Sequence, residues 1–460
     1  MLTNWLDSRQ RLLRKLGFGL IIAIVATISI AFHGCTNVTQ PDGPITLRMA
    51  VPDDERTSWA PLINQFQAKH PNIRINLDEG LGSDGLKQLY INSFQQEEDS
   101  GSSQLYDLVY TDIIWLSEFV ESGWLKDLTE YFPNIEEENF LESEIKSGRY
   151  DVGDGNGERL YRIPFRTDVG VLYYRRDLLN QAGLQPPNTF DELIEAVTTL
   201  KEQPDVQGGY LWQGRKDEAI SAMFLEVLHG HGGYWIKPDK ISDDLEQSVG
   251  LDHEEAIEAV NFLRRTLQEG ISPEAVLSDR EDATRQRFSD DNIVFMRNWP
   301  AAWVRVNQFG STAHGNLGMK AMVSNVENSF ATKGGWGFGI AHNSSHPEAA
   351  VEAINFFTSP ASQRRFTLDH GSVPSLRFLF FDPTIVNQYN HYPQLLNIID
   401  NSWVRRPRIP NYGVVSNVLQ EHLREALINI DQTDSRDIMR RAASTTRRLL
   451  SRAQEANMAE

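Results

Sequence analysis

Leu47, Met49 and Val51, large and apolar, alternate with Arg48 and Ala50, the period-two pattern of a half-buried strand. Residues 58–69 then carry a helix-like pattern that stops before Pro71, and Ile73, Ile75 and Leu77 resume the alternation. Strand, helix and strand in that order predict a parallel pair, because the crossover brings the chain back in the same direction. The rhythm continues with a helix-like stretch over 86–98 and a strand over 105–110. Asp154-Gly155-Asn156-Gly157 marks a hairpin turn, and residues 163–174 read as one strand. Thr189 and Glu192 form a capping box ahead of the stripe Leu193, Ala196, Val197 and Leu200. Ile257, Val260, Leu263 and Leu267 make a second stripe, stopped by Gly270 and Pro273; Ala350, Ile354 and Phe357 make a third after Pro347. Residues 415–452 are helical in pattern, with a break at Thr433-Asp434. The alternation of element types predicts an α/β protein.

Two aromatic turns interrupt this pattern. Ile293 to Met296 is an apolar, strand-like run that leads into a turn bearing Trp299 and Pro300, and residues 334–340 are a second such strand with Trp336 and Phe338 set among glycines. An indole face suits the C–H face of a sugar ring, and its N–H offers one polar handle. Taken alone, a Trp beside a turn is more often packing. Asp112 follows the 105–110 strand, and ligands of open α/β sheets bind beyond the carboxyl ends of strands. It reads equally as the N-cap of the next helix. Arg166 and Asp168 are a polar insert in an apolar strand and share a face by period two. They form either a structural ion pair or a pair facing a ligand.

A chain of 460 residues exceeds one ordinary domain, so two domains or one two-lobed unit is expected. The formal net charge of −19 argues against a nucleic-acid partner, whose phosphates need clustered positive charge. It fits a binder of neutral or cationic small molecules. Cys35 is the one cysteine, so no intramolecular disulfide forms and the mature body has no thiol nucleophile. His229-Gly230-His231 lacks a matching cluster of metal ligands, and the Asp154 turn lacks the spacing of a calcium loop. There is no Walker A loop, nucleophile elbow or zinc-protease motif, so no metal and no cofactor is expected. Asp112, Asp168 and Glu218 could supply a glycosidase pair, whose defining separation the sequence does not measure.

The N-terminus carries Arg9, Arg11, Arg14 and Lys15, then an uncharged and mostly apolar run over 17–32, then Gly34-Cys35. This resembles the bacterial lipoprotein signal, with Phe32 and His33 in places where that pattern has Leu and a small residue. The resemblance implies a signal peptide over 1–34, lipidation of Cys35 and a tether over 35–44. An uncleaved N-terminal anchor is the alternative. Either would hold the protein at the membrane, in the periplasm or at the cell surface.

Several stretches together resemble the extracellular solute-binding proteins of bacterial ABC sugar importers, in the maltose/trehalose-binding branch. They are residues 106–112 with Trp115, 163–165 leading into 170–179, 212–214 with Glu218, 271–273, 298–303, 334–337 and Arg406-Pro407. The resemblance runs through nearly all of the chain after residue 35. It implies two α/β lobes, 45–167 with 295–342 and 168–294 with 343–460, joined by segments crossing near 166–169, Phe295 and Ala341. It implies a ligand held between the lobes, and no catalysis. Asp112, Asp168, Trp299, Trp336 and Arg406 match the family's sugar contacts, and Glu55 matches an acidic contact after the first strand. Arg166, also expected at the ligand, stands where relatives often carry an aromatic residue. The implied ligand is a disaccharide or glucoside such as trehalose, maltose, sucrose or glucosylglycerol, and the implied partner is a membrane permease. Two rival expectations are a secreted glycoside-active enzyme and a binding protein for a polyamine or peptide.

Overall fold

The structure is a computed structural model that describes residues 43–99, 106–237 and 245–459. The expected signal segment, Cys35 and nearly all of the tether lie outside the described residues.

β1 (Ile45–Pro52) and β2 (Ile73–Gly80) pair in parallel, with Ile45 opposite Ile73 and Pro52 opposite Gly80. The crossover is the helix Arg56–Lys69, as the hydrophobic pattern requires. β3 (Leu108–Asp112) joins the other edge of β1, also in parallel. It lies two residues further on than the sequence pattern placed it, so Asp112 ends the strand instead of following it. The sheet is completed by β4 (Ile163–Val169), β9 (Ala331–Ile340) and the short β10 (Trp403–Val404). β9 runs antiparallel to both β3 and β4.

A second sheet has the order β8 (Leu317–Lys320), β5 (Val171–Arg175), β7 (Ile293–Asn298), β6 (Gly208–Leu211). Residues 163–174, which read as one strand, are therefore two strands in two sheets. Gly170 is the joint. A Cβ there would collide with the carboxylate of Glu226, which is buried and held by Arg297, so only glycine lets the chain pass.

Each sheet has its own core. The first centres on Trp59, with Phe165, Phe338, Phe357 and Phe366 at ring-centroid distances of 4.9 to 5.7 Å. The second is built on β5, β6 and β7 with the helices Phe190–Leu200, Glu218–Gly230, Glu254–Gln268 and Tyr412–Ile428. The chain passes between cores from Phe165 to Val169, from Ala331 to Trp336 and from Phe366 to Val373.

Strand pairing redraws the ranges implied by the family resemblance. Phe295 lies opposite Tyr174 in an interior strand of the second sheet, so residues 295–320 belong with the second core and not the first. Ala341 lies inside the first core. The helices Pro347–Thr358 and Pro360–His370 pack Ala350, Ile354, Phe357 and Phe366 into that core, not the second. Long-range pairing decides these boundaries, and a local hydrophobic pattern carries no sign of it.

Three other local expectations match: the hairpin, the Thr189 cap and the break between the C-terminal helices. The Asp154 turn joins a two-stranded hairpin, Arg149–Tyr150 with Arg159–Leu160. The Thr189 hydroxyl accepts from the Glu192 amide at 3.2 Å. The C-terminal helices are Tyr412–Ile428 and Ser435–Ala459, broken over Thr433-Asp434. His231 stacks on Phe190 at 4.3 Å and His229 packs on Phe330, so both histidines serve the core. Among the described residues no His, Cys, Asp or Glu group could hold a metal ion, and no helix is long and apolar enough to cross a membrane.

Candidate ligand-binding site

The candidate residues gather where strands of both sheets end. Glu55 follows β1, Asp112 closes β3, and the helix Gly82–Asp99 begins just after β2. From the second sheet, Glu218 opens a helix after β6, and Trp299 follows β7. These are carboxyl ends of parallel strands, where open α/β sheets leave a crevice. The two sets meet: a Cβ on Gly82 would run into the guanidinium of Arg280, from the second core.

Trp299 sits on a pinned turn. Its amide donates to Asn298 Oδ1 at 2.8 Å, and the Tyr173 hydroxyl donates to the carbonyls of Trp299 and Pro300 at 3.0 and 2.8 Å. The indole N–H donates to Glu281 Oε1 at 3.2 Å. The Arg297 guanidinium lies over the ring, 4.2 Å from its centroid, and is itself held by two hydrogen bonds to Glu226, at 2.8 and 2.5 Å. The ring is half-buried. Its outer edge comes within 3.6 Å of where a Cβ on Gly334 would stand, and Asp168 Cβ would lie 3.1 Å from that same point. Gly334 thus lets the Trp299 ring and the Asp168 carboxylate approach one another.

Trp336 differs. It is buried, stacks on Tyr110 at 4.9 Å, meets the edge of Trp115 at 5.3 Å, and has the Arg166 guanidinium 5.5 Å from its ring centroid. Of the two expected stacking surfaces, Trp299 is the more open.

Arg166 organises the polar side. It donates to Glu55, to the Tyr110 hydroxyl at 3.0 Å and to Asp168 Oδ2 at 3.2 Å. Glu55 also accepts from the Trp59 indole at 3.2 Å. Burial raises the pKa of Glu55 against the opposing pull of Arg166. Burial pushes Asp168 up to about 6, again opposed by Arg166. Asp168 Oδ1 is buried and has no hydrogen-bond partner. A buried carboxylate oxygen without a donor is costly, so this atom has an unused capacity to accept a hydrogen bond.

Of the two roles left open by its sequence position, Asp112 fills the helix cap. Its Oδ1 accepts from the Ile114 amide at 3.3 Å, a helix cap, and lies 3.7 Å from Arg406 Nη2. Burial raises its pKa, with Arg406 opposing. Arg406 donates to Glu218 Oε1 at 3.0 Å and to the Lys333 carbonyl at 3.3 Å, while its Nε has no partner. Burial alone would lower its pKa; Asp112, Tyr412 and Glu218 outweigh burial and raise it. Asp217, beside Glu218, is pushed up to about 7 by burial and by Glu281.

Behind the site lies a buried charge network that sequence reasoning missed. Glu144 accepts from Thr167 Oγ1 at 2.8 Å and pairs with Lys333 at 2.9 Å and with Arg162 at 3.5 Å; all four side chains are buried. Thr167 and Lys333 stand on β4 and β9, the strands through which the chain passes between cores. Sequence reasoning also missed Tyr110, Arg280 and Glu281. Tyr110 lies in a stretch that carries the family resemblance, and so was within reach; Glu281 has no signal in its own sequence neighbourhood.

The profile of a family described as bacterial extracellular solute-binding protein matches residues 52–364, more than half of the chain. The chain belongs to that family. Membership places it among binding proteins and not among enzymes. Within this solute-binding protein family, a probable ABC transporter-binding protein of Deinococcus radiodurans is 26% identical over 321 residues, covering 68% of this chain and 72% of the relative. A maltotriose-binding protein of Pyrococcus abyssi is 22% identical, covering 71% and 67%. Among solved structures, maltose-bound MalE3 of T. maritima superposes with a TM-score of 0.79 at 30% identity, covering 88% of this chain and 100% of that one. The two-sheet, two-core architecture is thus that of a known solute-binding protein.

Proposed function

We propose that this protein is the sugar receptor of an ABC importer, holding a disaccharide or glucoside of the trehalose, maltose, sucrose or glucosylglycerol class between two lobes. The observation that carries the reading is the unpartnered Asp168 Oδ1 near the half-buried ring of Trp299. A sugar hydroxyl donating to Asp168 would place the C–H face of the same ring near the indole. Asp112, Glu55, Arg166 and Arg406 supply further fixed acceptors and donors, and their mutual pairing keeps them in place before a ligand arrives. The names of the maltotriose-binding relative and of the maltose-bound neighbour support a sugar.

The lobes in this reading follow the two cores, and β4–β5, residues 331–336 and residues 366–373 are the hinges. A ligand that touches both lobes favours the closed state by its differential affinity, and a membrane permease recognises that state. Attachment through Cys35 or an N-terminal anchor keeps the receptor beside the permease. A thermal-shift screen of the protein against neutral sugars tests the reading. Concentration-dependent stabilisation with the sugar recovered intact is expected. Stabilisation by polyamines or peptides alone, or recovery of hydrolysed sugar, would overturn it.

A further inference from the structure

Most arginines around the site have carboxylate partners. Arg166 pairs with Glu55 and Asp168, Arg280 with Asp217 at 3.3 Å, Arg297 with Glu226, and Arg406 with Glu218. Arg285 and Arg305 do not. Neither guanidinium makes an ion pair or a hydrogen bond among the described residues, and Arg285 Nε is buried without a partner. Arg285 lies four residues after Glu281 on the helix Glu281–Asp290, hence on the same face as the carboxylate that holds the Trp299 indole. Arg305 lies on the helix Ala302–Val306, which begins just after the Trp299 turn and packs against Glu281–Asp290. Both residues therefore stand on helices next to the turn that carries Trp299, Arg285 half-buried and Arg305 exposed. They are close enough that Arg305, after burial, is the next cause lowering the pKa of Arg285. The carboxylates that act electrostatically on Arg285 are Glu281, Asp54, just after β1, and Asp282. Glu281 is engaged by Trp299, and Asp54 and Asp282 are exposed.

An unpaired, partly buried guanidinium beside a second one is unfavourable in the empty protein, since burial and like charge both act against it. An anionic oxygen pair relieves both and matches the planar fork of an arginine. We propose that Arg285 and Arg305 form an anion subsite next to Trp299, so that the preferred ligand is a sugar bearing a carboxylate or phosphate group. This inference rests on the sugar-receptor reading and narrows its ligand class.

Isothermal titration of the full chain in mild detergent tests it with matched pairs. Glucosylglycerol against glucosylglycerate changes one hydroxymethyl group into a carboxylate, and trehalose against trehalose 6-phosphate adds a phosphate. The anionic member of at least one pair is expected to bind about tenfold tighter, the size of one charge-assisted bidentate contact. Which pair shows the gain tells carboxylate from phosphate. The advantage should shrink as salt rises, vanish in Arg285→Gln, and return in part in Arg285→Lys. If Arg285→Gln does not fold, Arg305→Gln gives the same comparison. Neutral members that bind as tightly as their anionic partners, or an advantage that survives in the Gln variant, would overturn the anion subsite and leave the sugar receptor standing. No binding by any of the four sugars, nor by maltose or sucrose, would overturn both.

Discussion

Trp299→Ala separates a stacking surface from a packing residue. In the folded protein the indole has three kinds of neighbour: Glu281 at its N–H, Arg297 over its ring, and Gly334 with Asp168 at its outer edge. Truncation removes a hydrogen bond to a charged group, about 1.5–3 kcal/mol where buried, and a cation–π contact of about 0.5–2 kcal/mol. The ring is half-exposed, so the lower ends of these ranges apply and a loss of about 2 kcal/mol in stability is expected. An aromatic face on which a ligand ring stacks is worth about 1–3 kcal/mol by alanine substitution, or roughly 5- to 150-fold in Kd. Trp299→Phe keeps a ring face but leaves Glu281 without its donor. It should show most of the hydrogen-bond part of the stability loss and under about 1 kcal/mol of the affinity loss. Urea unfolding reads the first quantity and titration calorimetry with the best sugar from the thermal screen reads the second. The reasoning fails if Trp299→Ala unfolds at lower urea but binds with unchanged Kd, because the ring is then core. It fails equally if Phe and Ala lose the same affinity, because the N–H and not the face then carries the contact.

Two further outcomes follow from the electrostatics. Burial raises the Asp168 pKa to about 6, from a model-compound value of 3.8. The fold therefore bears an ionisation penalty that is absent below about 4 and fully present above about 6, and hydroxyls donating to the ionised carboxylate offset it. Sugar affinity should thus fall as pH drops through about 6, up to about tenfold per unit of pKa displaced by the ligand. Calorimetry across that range in wild type and Asp168→Asn checks this, and a flat wild-type profile would refute it. Glu144→Gln leaves Lys333 and Arg162 buried without a counter-charge, for which a loss of about 3–5 kcal/mol is expected. A urea midpoint unchanged by that substitution would show that the buried network contributes nothing to stability.

Much of this protein was legible locally. Period-two alternation in 47–51 and 73–77, the capping residues at Thr189 and the apolar stripes at 257–267 and 350–357 each act within one or two turns of chain, and each element stands where its pattern placed it. That Arg166 and Asp168 share a face was also legible, because two residues of one strand separated by one position must do so; their ion pair was one of two readings left open.

The sequence by itself determined an α/β chain, because periodicity is a property of residues near one another along the chain, and its ordered motifs carried the resemblance to solute-binding proteins. Tertiary structure alone decided that 163–174 is two strands parted at Gly170, that Phe295 is interior to the second sheet, and that Trp336 is enclosed while Trp299 is half-open. It alone packed the helices of Arg285 and Arg305 together beside the Trp299 turn and left both guanidinium groups without an ion pair among the described residues. Each of these depends on which distant segment fills the space beside a residue. A strand pattern is the same whether its neighbour in the sheet comes from residue 109 or residue 296, and an arginine pattern is the same whether or not a carboxylate arrives to meet it.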